Sequence, residues 1–444
     1  MPQLKALAQH TDKLYRDCAN VLLTQMNLPA DSAAAAVYVP GRIEFLGKHT
    51  DYAGGRSLLL AVDKGFRLVA VPRKDKTLRV ASVSTGGDVE QFEYGQTPPH
   101  APGHWVNYVA TVARRVAMNF SDTLDLKGAD IAFVSDLPIA AGMSSSSALM
   151  VATFLGISGV NGIDAAEPYQ REIKDSRLRL AEYLGCVENG QSFGTLTGEK
   201  GVGTFGGSED HTAMLCGQAD KLIQCSFAPS VFECDVPFPK GITIVVGSSG
   251  VEAVKTAAAM ELYNRASLRS RKACEVYNRS TKSQCRNLRQ IALQVGTAGM
   301  ATASAAIAAA ATAEETALDL PGRWEQFFRE DQEIIPAVAD LLAAGKADQI
   351  APLIDASHAG AVHGLQNQVP QTNFLQSSAK AHGAIAASAF GAGFGGSVWA
   401  MAPSDQAAAF AKAWAAEYHE KFPHEAARSE FFLTHPGSSA RVEE

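Results

Sequence analysis

Residues 138–148 read P-I-A-A-G-M-S-S-S-S-A, a run of small and hydroxyl-bearing residues that can bind an anion through backbone N–H groups and hydroxyls. An apolar, β-branched run at 129–134 precedes it and a helix-forming run at 148–155 follows it. The segment is therefore expected to carry the chain from a strand into a helix N-terminus. Such a terminus has unpaired donors and a partial positive charge, which suits a phosphate. A serine-rich helix cap without a ligand is the plainer alternative. No Gly-Lys-Ser/Thr triplet follows Gly142 and the loop has no G-x-G-x-x-G pattern, so it is neither a Walker A loop nor a dinucleotide loop.

A second dense stretch, residues 40–55, reads P-G-R-I-E-F-L-G-K-H-T-D-Y-A-G-G. Pro40 and Gly41 are expected to break a short strand at 36–39, and Gly54-Gly55 to close a turn. Between them Arg42, Lys48, His49 and Asp51 crowd together, which fits a pocket wall and fits a solvated loop equally well. A third stretch, G-A-G-F-G-G-S at 391–397, stands before an apolar strand at 398–402.

The elements that must position these segments follow from periodicity. Residues 4–27 have the spacing of an N-terminal helix. Residues 57–62 and 66–71 resemble two strands of a hairpin or sheet, residues 78–92 strand and turn, 105–116 a helix packed in the core, and 163–186 one or two helices. A glycine-rich passage at 190–207 leads to S-E-D-H-T-A-M-L at 208–215, and strand-like runs at 221–227 and 241–246 flank an irregular piece. Beyond Gly250 the pattern turns mostly helical, over 251–294, 324–342 and 350–365. The alanine-rich segment 296–318 fits a close-packed helix or a poorly ordered stretch. A last amphipathic helix at 406–418 precedes a strand at 431–434, and no internal repeat is evident.

The chain has 444 residues, which suggests two domains, divided here into 1–240 and 241–444. With 46% hydrophobic and 19% charged residues it has ample apolar surface to bury. A net charge of −7 argues against general nucleic-acid binding, so an anionic substrate needs a local basic site. The seven cysteines include no C-x-x-C pair or zinc-like cluster and fit reduced thiols. No run of about 18 apolar residues appears, which excludes a spanning helix, and the first residues carry no hydrophobic signal core. The expectation is a cytoplasmic protein without a membrane partner; its oligomeric state is not legible.

The order and content of the three stretches resemble the galactokinase branch of the GHMP small-molecule kinases. The resemblance covers most of the chain. Its motifs stand as P-G-R-I-E-F-L-G-K-H-T-D-Y-A-G-G, L-P-I-A-A-G-M-S-S-S-S-A-L and F-G-A-G-F-G-G-S-V. Fainter echoes are Trp105 with Tyr108, G-S-E-D at 207–210, Y-N-R at 263–265, Ser357-His358 and a terminal H-P-G-S-S-A. The resemblance implies an α+β, two-domain GHMP kinase fold with the active site between the domains. It also implies transfer of the γ-phosphoryl group of ATP, with Mg²⁺, to a sugar hydroxyl, the anomeric one in galactokinases. By the same resemblance Gly142, Met143, Ser144, Ser145, Ser146 and Ser147 wrap the nucleotide phosphates. Ser146 and Glu188 match the metal-binding positions, with Glu182 and Glu199 as alternatives because residues 191–202 look inserted. Asp210 matches the catalytic base and Arg42 its cationic partner: a carboxylate can accept the hydroxyl proton while a guanidinium keeps it ionised.

His49, Asp51, Gly207 and Tyr263 match the sugar pocket. There the chain also departs from its relatives, with Lys48 where galactokinases have a glutamate and His211 where they have glutamine. An ammonium prefers an acceptor or anion, so one expectation is a hexuronic acid substrate, galacturonate or glucuronate. The alternative is that Lys48 turns outward or pairs with Glu44 or Glu209 and the substrate is galactose. A sugar-sensing regulator with the kinase fold is the reading of another class. Retention of residues 144–147 and Asp210 weighs against it, and H-T-D-Y-x-G-G weighs against a non-sugar substrate such as mevalonate.

Overall fold

The computed structural model describes residues 1–101, 103–138, 142–251 and 257–443. Two sheets organise them. The first takes β1 (Ala35–Leu46), β2 (Arg56–Pro72), β3 (Thr77–Ser82), β4 (Val89–Glu93), β5 (Ala129–Ser135), β6 (Lys221–Ser226) and β7 (Val231–Pro237). The second takes β8 (Ile242–Ser248), β9 (Ala386–Phe390), β10 (Ser397–Pro403) and β11 (Glu430–Thr434) in the order β11-β8-β10-β9, and every pairing in it is antiparallel. A final strand, β12 (Arg441–Glu443), returns to the edge of the first sheet and pairs with β1. The chain is thus not cut cleanly in two, because its last residues belong to the sheet built by its first.

Every residue of β1 is buried, which explains why it reads as apolar on both faces. It does not stop at Pro40-Gly41 as the sequence suggests. Its pairing with β2 runs from Ala35↔Ala70 to Leu46↔Leu58, with irregularities between Pro40 and Arg42 and between Glu44 and Leu46. Such bulges let a strand pass a proline and re-aim the side chains that follow. The two strands expected at 57–62 and 66–71 are likewise one long strand, β2, whose two ends pair with the two ends of β1. The turn between β1 and β2 is then residues 47–55, which hold the second half of the charged motif.

Helices differ from expectation mainly at their ends. The single N-terminal helix is two, Leu4–Leu7 and Lys13–Thr24, because Asp12 caps the second by accepting from the Leu14 N–H at 2.8 Å. The serine-loop helix runs Ser145–Asn161, longer than the apolar run at its centre. The alanine-rich segment is ordered: Met300–Ala310 is helical and buries Ala303 and Ile307. Within the expected helical region 251–294, residues 252–256 lie outside those described, and Ala257–Thr281 and Leu288–Val295 are helices. The helix Pro370–Ala381 and the strands β7, β9 and β12 were not anticipated. Among the described residues no helix is long and apolar enough to cross a membrane.

One apolar core joins the sheets. Phe45 of β1 stacks on Trp399 of β10 with ring centroids 4.1 Å apart and planes 13° from parallel, and both residues are fully buried. Large-to-small replacement of such rings costs on the order of 3–5 kcal/mol, so this contact fixes the first sheet's charged turn against the second sheet's glycine loop.

Candidate active site

The three motifs meet. Arg42, only 5% exposed, leaves β1 at the bulge and donates from Nε to Asp210 Oδ1 at 2.6 Å. Its Nη1 donates to the carbonyl of Gly142, and its backbone N–H to that of Met143. One guanidinium therefore ties the first motif to the serine loop and to the first turn of the helix Glu209–Cys216. Burial works against this charge, but Asp210 and then Glu209 outweigh it and hold the guanidinium above its ordinary value.

The serine loop supplies the cradle. Gly142 (φ 68°) and Ser144 (φ 58°) adopt left-handed conformations just before the helix Ser145–Asn161, so the chain turns sharply into that N-terminus. Ser144 Oγ donates to Asp210 Oδ2, and Ser147 Oγ donates to Glu188 Oε2 at 2.7 Å. Ser145 and Ser146 are part-exposed beside them. Met143 contributes only backbone to this loop, since its side chain is 1% exposed and packs in the core. Residues 139–141 of the motif lie outside those described. The third motif closes over the loop: a Cβ on Gly391 (φ 76°) would stand 3.0 Å from the Gly142 carbonyl and 3.7 Å from Arg42 Nη2. Only glycine allows backbone to approach that closely in that conformation.

Of the three candidate glutamates, Glu188 is the one beside the serines. It is 8% exposed, bonded to Ser147, and 3.3 Å from His211 Nε2. Glu182 instead accepts from the Ser230 N–H at 3.3 Å, and Glu199 is bonded to Arg114 at 3.0 Å. The stretch 191–202 is pinned to the helix Trp105–Phe120 by that bond and by Asn119 to the Thr197 carbonyl at 3.1 Å.

A second group of residues lies around Asp51. Its Oδ1 accepts from the Tyr52 N–H at 2.7 Å, and the Glu209 and Gly207 N–H groups also point to the carboxylate. Burial nevertheless lifts it to about 6, helped by the charge of Asp210. His49, held at φ 57°, donates from Nε2 to the Ala392 carbonyl at 3.1 Å and accepts from the Tyr52 hydroxyl at 2.8 Å. Burial, with the Arg323 charge, lowers it to about 4, so the ring is neutral at pH 7. Tyr263 completes the group, its ring centroid 5.3 Å from that of His49. A Cβ on Gly207 would collide with Asp51 Oδ2. Gly207→Ala is accordingly expected to raise the KM for the second substrate at least ~10-fold while leaving the nucleotide KM within about twofold, as initial-rate kinetics would show.

Lys48 is placed differently from a residue that greets a substrate. The residue is 1% exposed, and its ammonium donates to Ser357 Oγ at 2.9 Å; Ser357 passes the bond on to Glu330 Oε1 at 2.9 Å. Glu330 also accepts from the Gly47 N–H at 3.0 Å. Among the described residues no salt bridge joins Lys48 to Glu44 or Glu209; its hydrogen bond goes to Ser357, far along the chain, while its charge still acts on Glu44. Ser357 stood in one of the fainter echoes, whereas Glu330 carried no local signal. Arg323, which donates to the His49 carbonyl at 2.6 Å, was equally unsignalled.

The segment 30–72 matches the galactokinase galactose-binding signature, residues 107–192 the GHMP kinases N terminal domain, and residues 338–420 the GHMP kinases C terminal domain. The galactokinase of Chloroflexus aurantiacus is 29% identical over 380 residues, which cover 84% of this chain and 85% of that protein. That of Chloroflexus aggregans is 32% identical over 217 residues, and this match spans only 48% of each. Among solved structures, Lactococcus lactis galactokinase complexed with galactose superposes with a TM-score of 0.74 at 22% identity, over 92% of this chain and 95% of that one. Methanococcus jannaschii mevalonate kinase gives 0.53 at 13% identity, over 93% of this chain and all of its own. Three segments in order along one fold thus resemble the GHMP kinases, and the likeness runs to the galactokinase branch.

Proposed function

We propose that the protein is an ATP-dependent sugar kinase of the galactokinase type, moving the γ-phosphoryl group of ATP to the anomeric hydroxyl of galactose or a closely related neutral hexose. The observation that carries this is the junction of Arg42, Asp210 and Ser144 at the N-terminus of the serine-loop helix. The N–H groups of that terminus and the loop hydroxyls receive the phosphates. Asp210 accepts the sugar proton, and Arg42, bonded to it, faces the charge that develops on the transferring group. His49, Asp51, Gly207 and Tyr263 hold the sugar.

Glu188 with Ser146 offers hard oxygen donors next to the cradle, a set that fits Mg²⁺. The ion supplies neutralisation of phosphate charge when bound. Glu188→Gln keeps the bond from Ser147 and removes the charge, so the Mg²⁺ concentration for half-maximal rate is expected to rise ~10-fold or more. An unchanged Mg²⁺ titration would remove Glu188 from this role.

What supports a neutral hexose over a hexuronate is the inward bond of Lys48 to Ser357, which leaves the ammonium engaged within the protein. ADP release measured with ATP–Mg²⁺ and a panel of free sugars tests both points. Galactose is expected to outperform galacturonate and glucuronate by ~100-fold in kcat/KM. Preference for a uronate overturns the substrate assignment, and no turnover with any sugar favours the sensing regulator.

A further inference from the structure

Close to Arg42 lie two carboxyl groups that the reaction does not use. Glu44, two residues along β1, is 3% exposed, and Glu209, which directly precedes Asp210, is 5% exposed. Ser57 Oγ of β2 donates to Glu209 Oε2 at 2.6 Å. Glu44 lies within hydrogen-bonding reach of Glu209, yet its Oε1 is buried with no hydrogen-bond partner among the described residues. Two buried carboxylates in contact cannot both be ionised without a large cost, and one proton between them supplies the missing bond.

We propose that Glu44 and Glu209 form a buried carboxyl pair that shares one proton and positions Arg42 and Asp210 for phosphoryl transfer. The unit holds one negative charge near the guanidinium and anchors the first turn that carries Asp210. That charge keeps Arg42 from being drawn wholly onto Asp210. The groups that face the pair are Arg42 and Lys48 from β1 and its turn, Asp51, Asp210, and Glu330. Burial raises both members of the pair; Lys48 and Arg42 oppose it at Glu44 and the charge of Glu44 adds to it at Glu209, so the pair keeps a proton where exposed carboxylates would keep none.

The test uses Glu44→Gln and Glu209→Gln, alone and together, in the full chain. An amide can replace the protonated member, so each single variant keeps both the bond and the single charge. Both are expected within threefold of wild-type kcat. The double variant loses the charge and is expected to fall ~10-fold or more in kcat with the ATP KM unchanged. A single variant that loses 10-fold, or a double variant at wild-type kcat, overturns the proposal, and the single variants decide even where the double does not fold.

The thermal arm needs no substrate, which matters because the positioning role rests on the kinase reading. A carboxyl whose burial holds its proton above the ordinary carboxylate range contributes stability that is complete below that range and is lost as the pH rises through the raised value. Gln needs no proton, so the Tm of each single variant, relative to wild type, is expected to rise by at least ~3 °C between pH 5 and pH 8. No relative rise means there is no shared proton. A wild type without sugar turnover ends the kinase reading and leaves this measurement intact.

Discussion

Asp210→Asn is expected to lower kcat by ~10³-fold or more while nucleotide affinity stays within about threefold. The carboxylate accepts on both sides, from Arg42 Nε at Oδ1 and from Ser144 Oγ at Oδ2, so its position is fixed before any substrate arrives. Asparagine has the same size but one acceptor oxygen, and its amide cannot take the hydroxyl proton. Its NH₂ group must also face either the guanidinium, where two donors oppose each other, or Ser144, whose hydroxyl can rotate to accept. The second arrangement keeps the loop in place, which is why nucleotide binding should survive. ADP release at saturating sugar and calorimetric titration with a non-hydrolysable ATP analogue would separate the two effects. Near-normal turnover would take Asp210 out of the mechanism.

The second large effect is expected at Arg42→Lys, a change that preserves charge. Kcat should fall ~10²-fold, and the ATP KM should rise as well. Arg42 makes two bonds in fixed directions, one to Asp210 and one to the Gly142 carbonyl, and it does so almost wholly out of water. A single ammonium on a flexible stem cannot hold both partners at once. Loss of the first loosens the proton acceptor; loss of the second frees the glycine on which Gly391 and the serine loop pack. The paired rise in ATP KM distinguishes this outcome from that of Asp210→Asn. A kcat within threefold of wild type would show that Arg42 acts only as a counter-charge.

The sequence alone determined the parts whose chemistry is local. A helix N-terminus built from serines is legible because its donors lie within a few consecutive residues, and the three motifs, their order and the Arg42 and Asp210 positions needed no coordinates. Strand limits were less secure. Pro40-Gly41 carries the ordinary signal of a strand end, and only the partner β2 and the bulge beside Arg42 keep the strand going.

Tertiary structure decided which partners answer which charges. Ser147 chooses Glu188 over Glu182 and Glu199, Ser57 reaches Glu209, and Lys48 turns to Ser357, which in turn donates to Glu330. Each of these bonds joins residues far apart in the chain, and residue type does not reveal which buried oxygen will face a given donor. Burial then sets the electrostatics: the two carboxyl groups of Glu44 and Glu209 would be ordinary acids in water. They become a coupled pair because the packed core of β1, β2 and the helix Glu209–Cys216 removes the solvent that would otherwise separate them.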